Sequence, residues 1–189
     1  MTIVTSRKVV VYWLIFMFFV TFTCSLAYLV AQQSMRLSAN EAPEQLAVAT
    51  KLKLQSGKNP DSMIPADKVS ISKSLDSFFM LFDLNKKMVA SSGVMGDSNP
   101  PFPQSVLNNV SQSHEDRITW QPEPGLRFAT VALKFSNGYI VAAHSLQETE
   151  NVIGEITKLV FALWLACLVV SVILLFFILR FIKQTTKVS

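Results

Sequence analysis

The sequence has few cysteines and few charged residues, and each shortage excludes a class of protein. Two cysteines among 189 residues cannot form a disulfide scaffold. Charged residues make up 16% of the chain, against about 25% in a typical soluble domain. Intrinsic disorder is excluded because half of the residues are apolar, whereas disordered chains are poor in apolar residues. The shortage of charge is concentrated in two long segments that contain no charged residue at all.

These two segments, residues 9–31 and 159–179, are long enough to cross a membrane. The first has 23 residues, and a helix of that length rises about 34 Å, against about 30 Å for the hydrocarbon core of a bilayer. Neither segment has the polar face that a soluble helix needs. Because a backbone in lipid must satisfy its own hydrogen bonds, we expect two transmembrane helices, over residues 9–31 and 159–182.

A cleaved signal peptide is the alternative interpretation of the first segment. Ser25-Leu26-Ala27 has the small residues of an acceptable cleavage site. Against cleavage, the apolar stretch is longer than the roughly 7–15 residues of a signal peptide's core.

The charges outside the two segments predict the orientation of the chain. Five basic residues and no acidic ones flank the pair of segments: Arg7, Lys8, Arg180, Lys183 and Lys187. Residues 32–158 hold the other 12 basic residues and all 13 acidic ones. The positive-inside rule therefore places residues 1–8 and 183–189 in the cytoplasm and residues 32–158 outside. The basic balance of the chain thus comes from its membrane flanks and does not indicate nucleic-acid binding.

The pattern of residues 32–158 predicts an α+β domain in which helices pack on an antiparallel sheet. A helix is expected over residues 38–55, with Ser38 and Glu41 in capping-box spacing. Its predicted apolar face consists of Ala42, Leu46, Ala49 and Leu52. A shorter helix is expected over residues 104–113, with Val106, Leu107 and Val110 facing inward.

Strands are predicted over residues 78–84, 87–91 and 117–120, and the last hairpin gives the clearest pattern. Its strands, residues 127–135 and 139–146, flank an Asn137-Gly138 pair, which favours a two-residue turn. That turn would place Phe135 opposite Ile140 and Val131 opposite His144. From residue 147 a helix is expected to continue into the second apolar segment without a loop.

Two stretches of this middle segment resemble a known family. Residues 79–93, FMLFDLNKKMVASSG, combine a hydrophobic strand ending in Asp83, a turn, and an apolar strand that leads to Ser and Gly. Residues 139–150, YIVAAHSLQETE, read as a last sheet strand that feeds an exit helix. Both resemble the extracytoplasmic PAS-like (Cache-type) sensor domain of bacterial membrane histidine kinases and chemoreceptors.

The resemblance implies a two-pass protein of the bacterial inner membrane whose outer domain binds a small ligand or a protein. The seven residues after Ile182 leave no room in this sequence for the cytoplasmic output domains of that family. A separate signalling partner would then read the state of the second transmembrane helix, and a homodimer is a further expectation. The alternative function is an accessory or structural subunit that docks on another envelope protein.

Few residues suggest a binding or catalytic site. No phosphate-binding loop, dinucleotide fingerprint, zinc-protease motif or Cys-x-x-Cys is present, so neither an enzyme nor a metal or cofactor site is predicted. Arg117 and Arg127 are candidates for clamping a ligand carboxylate, with ordinary surface ion pairs as the alternative. His144 is a candidate ligand contact or proton switch, with a hydrogen-bonded core histidine as the alternative.

Two pairs of small residues are candidates for contacts between transmembrane helices. Thr21 and Ser25 in the first segment, and Ala162 and Ala166 in the second, have the small-x-x-x-small spacing that lets helices approach closely. No ionisable side chain lies deep in either segment, which argues against ion transport.

Overall fold

The computed structural model describes the backbone of residues 2–188 and the side chains of residues 7–184. The predicted cytoplasmic segments are residues 1–8 and 183–189. Most of their side chains, including that of Lys187, therefore lie outside the described residues. The described helices are α1 (Thr2–Ser38), α2 (Glu41–Gln55), α3 (Gln104–Ser113) and α4 (Gln147–Val188), with one 3₁₀ turn at Pro60–Met63. The described strands are β1 (Val69–Ser70), β2 (Phe78–Asp83), β3 (Met88–Ser91), β4 (Gly93–Val94), β5 (Glu115–Glu123), β6 (Leu126–Phe135) and β7 (Gly138–Ser145).

The chain forms two compact units. One is a sheet domain of residues 34–151, and the other is a helical unit built from residues 1–33 and 152–189. The α+β class and the antiparallel sheet that the sequence predicts are confirmed.

The sheet domain is built on five antiparallel strands in the order β3-β2-β7-β6-β5. The central strand β7 and its neighbour β6 are buried over most of their length because helices cover both faces of the sheet. On one face α2 contributes Ala47 to a cluster with side chains of β2, β6 and β7. On the other face α3 contributes Val106, Leu107 and Val110 to an aromatic-rich cluster, so the inward residues predicted for this helix are confirmed.

The predicted apolar face of α2 is right for Leu46, which packs against the sheet cluster, and wrong for its other three members. The buried residues of this helix are Pro43, Ala47 and Thr50, whereas Ala42 and Ala49 are exposed and Leu52 is 61% exposed. Ala47 is fully buried where the helix lies closest to the sheet, and Leu46 and Leu54 pack against the same cluster from either side.

The predicted capping box of α2 is wrong as well. The helix α1 continues to Ser38, and the chain bends at Ala39 and Asn40 before α2 begins at Glu41. The Asn40 side chain makes no cap to α2 and instead donates to the carbonyl of Arg36.

The predicted register of the last hairpin is wrong by two residues. Phe135 lies opposite Gly138 and Leu133 lies opposite Ile140, so the turn is Ser136-Asn137. His144 accordingly lies opposite Ala129 and not Val131. A shift of two residues equals the side-chain period of a strand, so each residue stays on its predicted face. The glycine is needed inside β7, where a Cβ would approach the Phe82 carbonyl oxygen to 2.0 Å.

Within the described residues, two helices are long and apolar enough to cross a membrane by length and composition. The helix α4 is unbroken from residue 147 to residue 188, which confirms the prediction that no loop precedes the apolar segment. Both helices extend beyond the predicted spans of 9–31 and 159–182.

Within the helical unit, α1 and α4 run antiparallel. Three contacts show this direction: Met17 with Ser171, Thr21 with Trp164, and Tyr28 with Thr157. Residue numbers increase along α1 while those of the partners on α4 decrease. The less exposed positions of α1 recur every three or four residues, as in a helix–helix seam. These positions are Val10, Trp13, Met17, Val20, Cys24 and Tyr28.

Candidate functional site

Arg117 lies on the edge strand β5 and is held by two carboxylates. Its Nε donates to Glu115 Oε1 at 2.7 Å, and its Nη2 donates to Glu44 Oε1 of α2 at 3.0 Å. The hydrogen bond to Glu115 and the negative charge of both glutamates raise the pKa of the guanidinium further above its usual value. The side chain is 47% exposed, so this is the surface ion pair that the sequence allows as the alternative to ligand binding.

Arg127, at the start of β6, is also paired within the chain. Its Nη1 donates to Glu150 Oε1, in the first turn of α4. A backbone hydrogen bond joins the same two places: the Leu146 N–H, just before α4 begins, donates to the Arg127 carbonyl at 2.8 Å. Arg127 thus ties the sheet to the first turn of the helix that continues into the second apolar segment.

His144, near the end of β7, is half-buried. Its Nδ1 lies 2.9 Å from the hydroxyl of Ser77, which immediately precedes β2. The contact joins the end of β7 to the start of β2, as expected for a hydrogen-bonded histidine at the rim of a core.

The structure does not gather the three ligand candidates into one cleft. Their strand positions place them on the sheet face that α2 covers, but Arg117 lies opposite Val131, four residues along β6 from Arg127. Four residues of strand span roughly 13 Å. His144 lies opposite Ala129, between these two positions. Each of the two guanidinium groups already has a glutamate partner within the chain.

The opposite face of the sheet is filled by aromatic rings. Phe78 packs edge-on against Phe128 with ring centroids 5.5 Å apart, and Trp120 lies 5.5 Å from both Phe128 and Phe102. Phe102 comes from the proline-rich loop before α3 and also contacts Phe82 at 5.8 Å. This cluster anchors the loop and α3 on the sheet.

Polar side chains join α1 and α4 at three levels. Trp164 Nε1 donates to Thr21 Oγ1 at 3.0 Å. Thr157 Oγ1 lies 3.4 Å from the Tyr28 hydroxyl and itself donates to the Ile153 carbonyl, so the tyrosine is the donor of that pair. Ser171 Oγ lies 3.1 Å from Met17 Sδ. We call these three pairs the interhelical ladder.

Sequence reasoning identified Thr21 but missed the other members of the interhelical ladder. A signal was present, because Thr157, Trp164 and Ser171 recur every seven residues and a heptad repeat keeps side chains on one side of a helix.

The four helix-contact candidates divide between two environments. Ser25 lies one turn after Thr21 and donates to its carbonyl at 2.8 Å. Both residues line a cavity of about 270 Å³ between α1 and α4, together with Cys24, Tyr28, Thr157, Val160, Phe161 and Trp164. Ala162 and Ala166 are exposed on α4 and line no part of that cavity. A contact of these two alanines with another helix stays a prediction.

Among the described residues, no group of three or more histidine, cysteine, aspartate or glutamate side chains is placed to hold a metal ion. Cys24 and Cys167 are free thiols.

No protein-family model, no curated protein and no solved structure matches the chain.

Proposed function

We propose that the chain is a two-pass inner-membrane protein whose sheet domain is an extracytoplasmic PAS-like sensor. A ligand or protein bound to that domain would change the position of α4, and a partner protein would read the change at the cytoplasmic end. The single observation that carries this proposal is the junction between β7 and α4. One residue separates Ser145 of the central strand from Gln147, where an unbroken helix of 42 residues begins.

The ion pair between Arg127 and Glu150 strengthens that junction. It joins β6 to the first turn of α4, beside the backbone hydrogen bond from Leu146 to Arg127. A ligand can shift the position of α4 only by binding one arrangement more tightly than the other. The coupling proposed here therefore lies in the contacts of a few residues around the helix start.

The strand order supports the PAS-like part of the proposal. Counted along the chain, the five strands of the sheet lie in the order 2-1-5-4-3, with the last strand at the centre and leading into the exit helix. The feature that the resemblance to extracytoplasmic sensor domains implies is the last of these, a final sheet strand that leads directly into the exit helix.

The interhelical ladder supports the membrane part. Met17 and Thr21 would be lost if a signal peptide were cleaved after Ala27, and Ser171 and Trp164 would lose their partners on α1. The remaining surfaces of both helices expose large apolar side chains, such as Phe18 at 66% and Phe161 at 60%. In water such surfaces are costly, whereas in lipid they are the expected contact.

The test uses the full chain in lipid nanodiscs. A metabolite library is screened by thermal shift, because a ligand that binds the folded state raises the midpoint of unfolding by mass action. Spin labels at residues 9 and 179, which lie near one end of the two apolar segments, then report the distance between α1 and α4 with and without each hit. We expect a shift of about 1–2 Å, the size of helix movements in signalling proteins.

A pair of variants makes this test specific. Glu150→Gln removes the partner of Arg127, whereas Glu148→Gln removes an acidic residue from the same turn that is not that partner. The hit should still bind both variants, but only Glu150→Gln should reduce the distance change. Equal responses in the two variants would contradict the proposed coupling.

A second candidate function is an accessory subunit that docks on another envelope protein. The exposed side of α2 favours it, because Val48 is 44% and Leu52 is 61% exposed one turn apart. A photoreactive residue at position 48 should then crosslink to a different membrane protein, and one at Lys53 serves as the matched control. A crosslink only to a second copy of the chain would favour the homodimer of a sensor.

A further inference from the structure

Four basic side chains lie at one end of the helical unit, and we call this group the basic end: Arg7, Lys8, Arg180 and Lys183. The chain supplies them with no neutralising charge. No acidic residue occurs between residues 1 and 40 or between residues 156 and 189. An anionic group at this end would therefore meet no acidic side chain from the neighbouring parts of α1 and α4.

The register of the two helices brings these residues to one level. Met17 contacts Ser171, Arg7 lies ten residues before Met17, and Arg180 lies nine residues after Ser171. At 1.5 Å per residue, the two arginines lie about 15 Å and about 14 Å from that contact, in the same direction. Lys8 shares this level, and Lys183 lies about one turn further out.

A cavity of about 310 Å³ opens at the basic end. It is lined by Arg7, Lys8, Val11 and Tyr12 of α1. Two cations thus border one part of the cavity, while an aliphatic side chain and a phenol ring border the rest. The lining is amphipathic along the helix, and Val11 and Tyr12 are both largely exposed.

We propose that this cavity binds the phosphate headgroup of an anionic phospholipid. The inference rests on the proposed placement of α1 and α4 in a membrane. Arg7 offers a planar fork of donors that suits a phosphate, and Lys8 adds a mobile point charge. Val11 and Tyr12 lie in the first turn of the apolar segment, so they would meet the glycerol region and the first carbons of the acyl chains. Arg180 adds charge at the same level from α4, and Lys183 adds charge about one turn further out.

The site is expected to distinguish lipids by the net charge of the headgroup more than by its shape. A zwitterionic headgroup carries its own cation and gains little from a second set, whereas an anionic headgroup replaces the counter-charge that the chain lacks. Each basic residue near an anionic membrane surface contributes about 1 kcal/mol, which corresponds to about a fivefold change in binding.

The experiment measures lipid selectivity with the full chain. Protein is reconstituted in nanodiscs of equal parts phosphatidylcholine and phosphatidylglycerol, released gently, and analysed by native mass spectrometry for the lipids it retains. We expect enrichment of phosphatidylglycerol on the wild-type chain. In the variant Arg7→Gln/Lys8→Gln this enrichment should fall by at least fivefold.

The matched control is Lys51→Gln/Lys53→Gln, which removes the same charge from α2 in the sheet domain. It should retain the wild-type enrichment. The inference is overturned if both variants retain the same lipids as the wild type, or if both lose the enrichment equally.

Two further measurements complete the test. One distinguishes a lipid phosphate from free phosphate, and the other checks by itself whether the chain is inserted in the membrane. Inorganic phosphate in excess during reconstitution should not abolish the enrichment, and if it does, the site takes free phosphate and the lipid proposal is wrong. Resistance of the protein to alkaline extraction from vesicles tests the membrane placement by itself. An inserted chain without lipid preference refutes only this inference, whereas an extractable chain refutes the proposed function.

Discussion

At the scale of single residues, Gly138 shows how one missing side chain decides a pairing. It lies inside β7 with Phe135 on one side and Asp83 on the other. A Cβ at this position would lie 2.0 Å from the Phe82 carbonyl oxygen and 3.1 Å from the Asp83 Cα, and both obstacles are backbone. Because neither neighbour can rotate away, only glycine allows β2 and β7 to pair here.

Gly138→Ala should therefore destabilise the sheet domain by about 3 kcal/mol or more. Gly154→Ala is the matched control, because nothing lies within 4 Å of a Cβ at that helical position. Replacing a helical glycine by alanine should raise stability by about 0.5–1 kcal/mol. Thermal unfolding of both variants in one detergent checks the pair of predictions, and equal midpoints would contradict the pairing of β2 with β7.

At the scale of elements, α2 contacts the sheet through Ala47 and Leu46, whereas Leu52 of the predicted apolar face is exposed. Ala47 is fully buried, whereas Ala49, two residues later, is exposed. Ala47→Leu should cost about 1–3 kcal/mol, because extra methylenes in a filled interface force the helix outward. Ala49→Leu should change the free energy of unfolding by less than about 0.5 kcal/mol. The reverse order in a thermal melt would favour the face predicted from the sequence.

The interhelical ladder makes a second prediction at the element scale. Thr21→Val and Trp164→Phe each remove one partner of a hydrogen bond while largely keeping side-chain size. In a double-mutant cycle the pair should show a coupling free energy of about 0.6 kcal/mol, the average for such bonds between membrane helices. Strictly additive effects on the stability of the chain in detergent would mean that this contact does not hold the helices together.

At the scale of the whole molecule, the distribution of charge predicts which parts of the chain face each compartment. A single cysteine introduced as Asn99→Cys lies on an exposed loop of the sheet domain. A membrane-impermeant maleimide should label it in intact spheroplasts, whereas Ser189→Cys should be labelled only after lysis. The native Cys24 and Cys167 lie within the apolar segments and should not react, so the wild-type chain is the control. Labelling of both positions in intact spheroplasts would contradict the proposed orientation.

Retention of the first helix is a separate prediction for the whole molecule. Because Met17, Thr21 and Tyr28 all contact side chains of α4, we expect the mature protein to keep residues 1–27. Intact-mass measurement of protein purified from membranes checks this. A mass lower by the first 27 residues would show that α1 is a signal peptide.

The sequence by itself determined the elements whose formation depends on near neighbours. The two apolar helices, the helix Gln104–Ser113 and the strands from Phe78 to Ser91 follow from composition, periodicity and turn residues. Only the tertiary structure decided which residues meet. The register of the last hairpin depends on the close approach of β2 to Gly138, and the buried face of α2 depends on the space that the sheet leaves. Arg117 pairs with Glu44, 73 positions away, because the fold places the edge strand β5 beside α2. Such contacts depend on steric fit between distant segments, and local sequence patterns contain no information about that fit.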